Sequence, residues 1–141
     1  MIKTIITYND YDHMMDKLVE MIEMSKSYTK VKYVYGPPRG GLPIAVHLAH
    51  FLDLTLLDRF DFKNLPEREW EKVLIADDVA DTGETLQEIR DKFGTYFITA
   101  VLHYKSRSVV KPDFFVEENN TWIIYPWERL DEIPNREGYN E

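Results

Sequence analysis

Val73-Leu74-Ile75-Ala76-Asp77-Asp78-Val79-Ala80-Asp81-Thr82-Gly83-Glu84-Thr85-Leu86 is the stretch on which the reading of this chain turns. Four apolar residues end on two adjacent carboxylates, and a loop of Asp, Thr, Gly and Thr leads into a helical pattern. A buried strand over 73–76 that runs out into charge places Asp77 and Asp78 at its carboxyl end, where an open α/β sheet binds its ligands. The loop after them offers backbone N–H groups, two hydroxyls and a helix N-terminus, all suited to a phosphate. Carboxylates beside a phosphate cradle suit a ribose 5-phosphate, diol on one side and phosphate on the other. The plainer reading is a strand, a turn and a capped helix. Capping needs one such side chain, however, and this stretch supplies five.

On either side of it, strands alternate with helices. Residues 2–7 are short and β-branched, a first strand. Asn9 or Asp10 is placed to cap a helix in which Tyr11, Met14, Met15, Leu18, Val19 and Ile22 share one face, a stripe that reads as core. Residues 31–35 read as a buried strand and 42–51 as a helix, with Pro43 in its first turn. A short strand over 54–57 follows, then a polar stretch without period over 58–71, read as an exposed loop. Residues 85–93 form the helix after the opening motif, ended by Gly94. Strands are expected at 96–102, 114–116 and 121–124, and a frayed polar tail at 131–141. This alternation predicts a largely parallel sheet flanked by helices, in a single domain spanning 1–141.

Composition narrows the function. The 141 residues are enough for one domain with a real core, and no apolar run approaches a membrane span. The N-terminus lacks a signal-peptide pattern, so a cytoplasmic protein is expected. There are no cysteines, which excludes disulfides and thiolate zinc sites. The four histidines show no zinc-ligand spacing. A formal net charge of -8 argues against nucleic-acid or anionic-membrane partners. It is compatible with a small anionic ligand accompanied by Mg²⁺.

A second anion site is expected at Gly36-Pro37-Pro38-Arg39-Gly40-Gly41, again between a strand and a helix. Glycines let backbone approach an anion, the helix start adds free N–H groups, and Arg39 supplies a fork of donors. Taken alone it reads equally well as a plain turn.

The run from Val73 to Thr85 resembles the phosphoribosyl-pyrophosphate (PRPP) motif of the type I phosphoribosyltransferases: apolar strand, two acids, an apolar residue, any residue, then Asp-Thr-Gly-any-Thr. Arg39-Gly40-Gly41 resembles that family's pyrophosphate loop, which implies a cis peptide near Pro38-Arg39. The stretch from Leu102 to Arg107 and the ending Trp122-Ile123-Ile124-Tyr125-Pro126-Trp127-Glu128 are similar to the base end of the xanthine–guanine group. The resemblance spans roughly residues 35–128.

It implies the type I fold, with a small hood formed by the chain ends, and transfer of the 5-phosphoribosyl group from PRPP to a 6-oxopurine with release of pyrophosphate. By position it implies Asp77 and Asp78 on the ribose hydroxyls and Mg²⁺, and Thr82, Gly83, Glu84 and Thr85 on the 5-phosphate, with the Glu84 acid turned away. Arg39 and Gly40 fall on the pyrophosphate and Asp81 on N7 of the base as catalytic residue. Lys105 falls on the purine O6, Trp122 on the ring face, and Ile123 offers its carbonyl to the 2-position. Placing Lys105 needs a small gap relative to bacterial enzymes of the group; without it His103 takes the slot. A solvated lysine and a core tryptophan are the structural alternatives. The resemblance further implies a homo-oligomer, dimer or tetramer. Many family members close a mobile loop over the site, and only 58–71, with Lys63, Asn64 and Arg68, is available for one. The competing function is a PRPP- or nucleotide-binding regulatory protein on the same fold with little turnover.

Overall fold

The computed structural model describes residues 2–94 and 97–128. The tail at 131–141 and the expected start of a strand at Tyr96 lie outside the described residues. In chain order the elements are β1 (Lys3–Ile5), α1 (Tyr8–Glu23), β2 (Tyr33–Tyr35), α2 (Gly41–Phe51), β3 (Thr55–Leu57), α3 (Arg59–Lys63), β4 (Val73–Ala80), α4 (Glu84–Phe93), β5 (Ile98–Tyr104), β6 (Phe114–Glu118) and β7 (Trp122–Ile124). Five strands form a sheet of order β3-β2-β4-β5-β6, parallel throughout. The other two, β1 and β7, come from opposite ends of the described chain and pair in parallel as a separate small sheet, the expected hood.

Both faces of the large sheet are covered, which is why its central strand is an unbroken apolar run. Leu74 and Ala76 of β4 join the core under α1 and α2, with Met15, Leu18, Ile22, Ile44 and Leu48. Val73 and Ile75 point the other way, to a second core of Phe62, Leu86 and Phe97. The two-residue period of a strand thus divides one run between two cores. The stripe on α1 is core as expected: Met14, Met15, Leu18 and Ile22 are buried, with Tyr11 and Val19 packed beside them.

Three local expectations need correction. The cap of α1 is Thr7, not Asn9 or Asp10. Thr7 accepts from the Asp10 amide while Asp10 accepts from the Thr7 amide, so Asp10 closes a reciprocal capping box from inside the helix. Strand β4 does not stop at Ala76 but runs on through both carboxylates to Ala80, because β5 continues beside it from Val101 to Tyr104. Finally, 58–71 is not a bare loop. Asp58 caps α3, a 3-10 turn covers Glu67–Lys72, and Phe62 is buried, stacked 4.3 Å from Tyr35 and packed on Phe93 and Phe97. The Trp70 indole N–H donates to the Leu65 carbonyl at 2.9 Å. Two aromatic side chains in a polar stretch were enough to fold it down, although it shows no period.

Candidate active site

The candidate residues gather at the carboxyl end of the large sheet. Asp77 and Asp78 sit in the last turns of β4, beyond the reach of β2, whose pairing with β4 ends at Ile75. Each carboxylate accepts from the next backbone amide: Asp77 from Asp78 at 2.9 Å and Asp78 from Val79 at 2.7 Å. Burial raises both above the ordinary carboxylate range. The neighbouring Asp78 charge adds to the rise at Asp77, and Glu128 adds to it at Asp78. Two acids so placed favour a ligand that brings hydroxyl donors or positive charge.

The Pro37–Gly40 loop lies against this pair. A side chain at Gly40 would come within 2.4 Å of Asp78 Oδ2, and one at Gly41 within 2.6 Å of the Ala76 carbonyl. The glycines are therefore required by the approach of the loop to β4. The Pro38–Arg39 peptide is cis, as the resemblance implied, and Arg39 is exposed above it. So the acid pair and the candidate pyrophosphate loop are in contact.

On the far side, the chain turns into α4. Thr82 Oγ1 accepts from the Glu84 amide at 3.3 Å, and Gly83 takes φ 81°. The N-cap is Gly83 and no side chain caps α4, so Asp77, Asp78 and Asp81 are not spent on capping. Gly83 is pressed against the turn after β5: a side chain there would meet Ser108 Oγ at 2.4 Å and the amide nitrogens of Val110 and Val109 at 2.8 and 2.9 Å. The Val109 amide donates to the Thr82 carbonyl at 2.8 Å. Thr82, Glu84 and Thr85 are exposed around the helix start, and the Glu84 carboxylate lies at the surface.

The candidate base end is assembled from three stretches. A small cleft of about 110 Å³ is lined by Asp78, Asp81, Lys105, Trp122, Ile123 and Tyr125, with Val79 and Glu128 completing it. The Lys105 ammonium lies 3.7 Å from Asp81 Oδ1 and 5.5 Å from the centre of the Trp122 ring. Lys105 is only 6% exposed, so it is not a solvated strand-end lysine. Burial lowers its pKa, Asp81 opposes this and Arg107 reinforces it. Trp122 is half-buried in the cleft wall. His103 is fully buried behind β4 and does not line the cleft.

Sequence reasoning left Arg107 without a role. Its guanidinium grips Asp81, with Nε donating to Oδ1 at 2.7 Å and Nη2 donating to the same oxygen. Asp81 is thus held between Lys105 and Arg107. Both cations lie in the turn after β5, closed by the Ser108 amide on the Lys105 carbonyl, and no local pattern marks Arg107 as the partner of Asp81. Glu128 was quoted only as part of an ending; its carboxylate accepts from the Tyr125 amide at 3.0 Å and fixes the turn under the cleft.

Among the described residues no three acids or histidines form a metal cage. Two deep-set carboxylates of raised pKa fit Mg²⁺ in its usual setting, where one or two protein carboxylates share the ion with substrate phosphates. No helix of the described chain is long and apolar enough to cross a membrane.

No family model matches the chain. A xanthine-guanine phosphoribosyltransferase of Vibrio parahaemolyticus is 26% identical over 140 residues, covering 89% of this chain and 89% of that relative. A protein of the same description from Cereibacter sphaeroides is 26% identical over 113 residues, 67% of this chain and 68% of its own. Among solved structures, a purine phosphoribosyltransferase from Pyrococcus horikoshii superimposes with a TM-score of 0.75 at 27% identity, over 92% of this chain and 97% of that one. The xanthine-guanine-hypoxanthine phosphoribosyltransferase of Helicobacter pylori, at 20% identity and a TM-score of 0.75, shares the fold.

Proposed function

We infer that this chain, which has the type I phosphoribosyltransferase fold and homologues among the xanthine–guanine phosphoribosyltransferases, is a purine phosphoribosyltransferase. We propose further that it transfers the 5-phosphoribosyl group of PRPP to a 6-oxopurine (guanine, xanthine or hypoxanthine) in purine salvage, in the cytoplasm. The observation that carries this reading is the meeting of Asp81, Lys105 and Trp122 in one cleft whose floor is Asp78.

In this reading the bond from C1 of PRPP to the pyrophosphate oxygen breaks as a ring nitrogen of the base bonds to C1, and the base gives up a proton. The transition state resembles an oxocarbenium ion, so positioning and stabilisation of the leaving charge outweigh any protein nucleophile. Asp77 and Asp78 hold the ribose hydroxyls and would hold Mg²⁺, which supplies charge neutralisation for the pyrophosphate when bound. Arg39 and the Gly40 amide take the pyrophosphate oxygens. The amides of Thr82, Gly83, Glu84 and Thr85, with the two threonine hydroxyls, take the 5-phosphate. Trp122 covers the ring, and the Ile123 carbonyl faces the 2-position. As the base enters, Lys105 turns from Asp81 to the purine O6, while Arg107 stays on Asp81 as it faces N7 and manages the proton.

The homo-oligomer implied by the resemblance, a dimer or tetramer, fits an apolar face of Leu42, Val46 and Phe51 on α2 with Leu56 on the edge strand β3, all 40–58% exposed. Sedimentation of the wild type against Val46→Glu, expected to yield monomers, checks that face.

The deciding experiment incubates the protein with PRPP and Mg²⁺ and each purine and pyrimidine base, and separates the products. Monophosphate from a 6-oxopurine alone supports the reading and names the base. Binding of PRPP without product from any base favours the regulatory alternative, to which the anchoring of 58–72 by Phe62 and Trp70 gives a reason: the one stretch available as a lid is tied to the second core.

A further inference from the structure

Behind the acid pair lies a buried polar pair that the reaction above does not use. Tyr125, immediately after β7, is 2% exposed, and its hydroxyl donates to the backbone carbonyl of Asp78 at 2.9 Å. The same hydroxyl oxygen lies 2.8 Å from Nδ1 of His103, which has no exposed surface. A phenol has one proton. With that proton given to Asp78, the oxygen accepts from His103, so Nδ1 carries the hydrogen and Nε2 a lone pair. The opposite tautomer would set two acceptors against one proton and bury an N–H at Nε2, which has no partner among the described residues.

The Asp78 carbonyl is held in this way at a gap in the sheet. Bridges between β4 and β5 fall at Asp77 with Val101 and at Val79 with His103, and Asp78 itself has none. The Asp78 carboxylate in turn sits against Gly40. His103, Tyr125, the Asp78 peptide and the Pro37–Gly40 loop thus form one line of contact, and Tyr125 belongs to the segment that carries Trp122 and Ile123.

We infer that His103 and Tyr125 are a positioning pair: an Nδ1–H imidazole orients the Tyr125 hydroxyl, which fixes the Asp78 peptide and so presents the acid pair and the Gly40 loop to PRPP. This rests on the phosphoribosyl-transfer reading only for the ligand. Burial supports it, lowering His103 to about 4, with Glu117 on β6 opposing and Lys105 just after β5 adding to the shift, so the ring is neutral at pH 7.

The tautomer is read directly from the ¹⁵N shifts of the imidazole at pH 7 in wild type and in Tyr125→Phe. Wild type should show the Nδ1–H form, and Tyr125→Phe should lose it. In calorimetric titrations with PRPP–Mg²⁺, Tyr125→Phe and His103→Leu should bind five- to tenfold more weakly. His103→Asn, whose amide nitrogen stands near the Nδ1 position, should recover most of that affinity. A purine KM moved less than twofold in the His103 variants, whose side chain does not line the cleft, marks positioning at Asp78 rather than general loosening. An Nε2–H tautomer in wild type overturns the pair, as does a Tyr125→Phe protein that loses the Nδ1–H form yet binds PRPP–Mg²⁺ normally. Failure of the function reading has a different signature: wild type itself neither binds PRPP nor forms product, while the ¹⁵N shifts still report the hydrogen-bond line.

Discussion

The phosphate end of the cleft and its base end are built in opposite ways. At the proposed phosphate end, ligand groups would meet backbone and two adjacent acids, and the neighbouring loop lies so close that a side chain at position 40 would displace the Asp78 carboxylate. At the base end, Asp81, Lys105 and Trp122 come from three separate stretches and reach the cleft with side chains that pair with one another at 3.7 and 5.5 Å. The first is a rigid mould with almost no slack. The second is a set of exchangeable partners, in which, on the proposed function, a base would take over contacts that the protein makes with itself. The two ends should therefore fail differently: the mould through shape, the partner set through chemistry.

Asp81→Asn is the most severe test of the partner set. Turnover should fall about a thousandfold, within the range of a lost acid–base group, while PRPP affinity stays within about twofold. Unchanged turnover in a steady-state assay removes Asp81 from its role. Gly40→Ala tests the mould. A methyl group 2.4 Å from Asp78 Oδ2 forces loop or acid out of place, and calorimetry should show PRPP binding weakened at least about tenfold with the base KM little changed. If both ligands suffer equally, the two ends are one mechanical unit and the contrast fails.

Trp122→Ala should raise the base KM about tenfold, toward the low end of the 1–3 kcal/mol a stacked base contributes, and leave the PRPP KM alone. Equal effects on both constants would return Trp122 to a packing role. The smallest effect is on stability. Burial raises Asp77 and Asp78 in the folded protein, so between their ordinary range and the raised one the native state holds more protons than the unfolded chain. Stability of the ligand-free protein then falls as pH climbs through that window. Asp77→Asn removes part of this loss and should melt roughly 3–5 °C higher at pH 7, yet match wild type at pH 3, where the acids are protonated in both states. Equal melting at pH 7 would mean that the pair carries no stored repulsion.

How legible each end was follows from the same contrast. The phosphate end is contiguous, so its residues announce themselves in one run, and even the contact between Gly40 and Asp78 lies behind a recognisable glycine. Lys105 and Trp122 were reached only by similarity. Nothing local in either sequence neighbourhood separates a base contact from a solvated lysine or a core indole; what the fold adds is that the two side chains meet in one cleft. Arg107 and the His103–Tyr125 pair escaped because hydrogen bonds across 26, 22 and 47 positions leave no pattern in the chain. The 58–71 stretch misled for a related reason. Its polar composition is real, but Phe62 and Trp70 find partners on β2, on α4 and within the stretch itself that no window of sequence contains.

The small sheet of β1 and β7 has a consequence for assembly of the protein. Lys3 pairs with Trp122 and Thr4 with Ile123, and the Thr4 and Thr121 hydroxyls bond across 117 positions. A ribosome makes β1 more than a hundred residues before β7. The run from β4 to α4 is contiguous, whereas the wall that would cover a base, and Tyr125, which holds the Asp78 peptide, wait for the late strand to come back to the early one. Such a long loop closes slowly compared with local contacts. Neither end of the proposed site is therefore complete before β1 and β7 have met, and a bulky fusion just ahead of Lys3 would weigh on sugar-phosphate and base binding together.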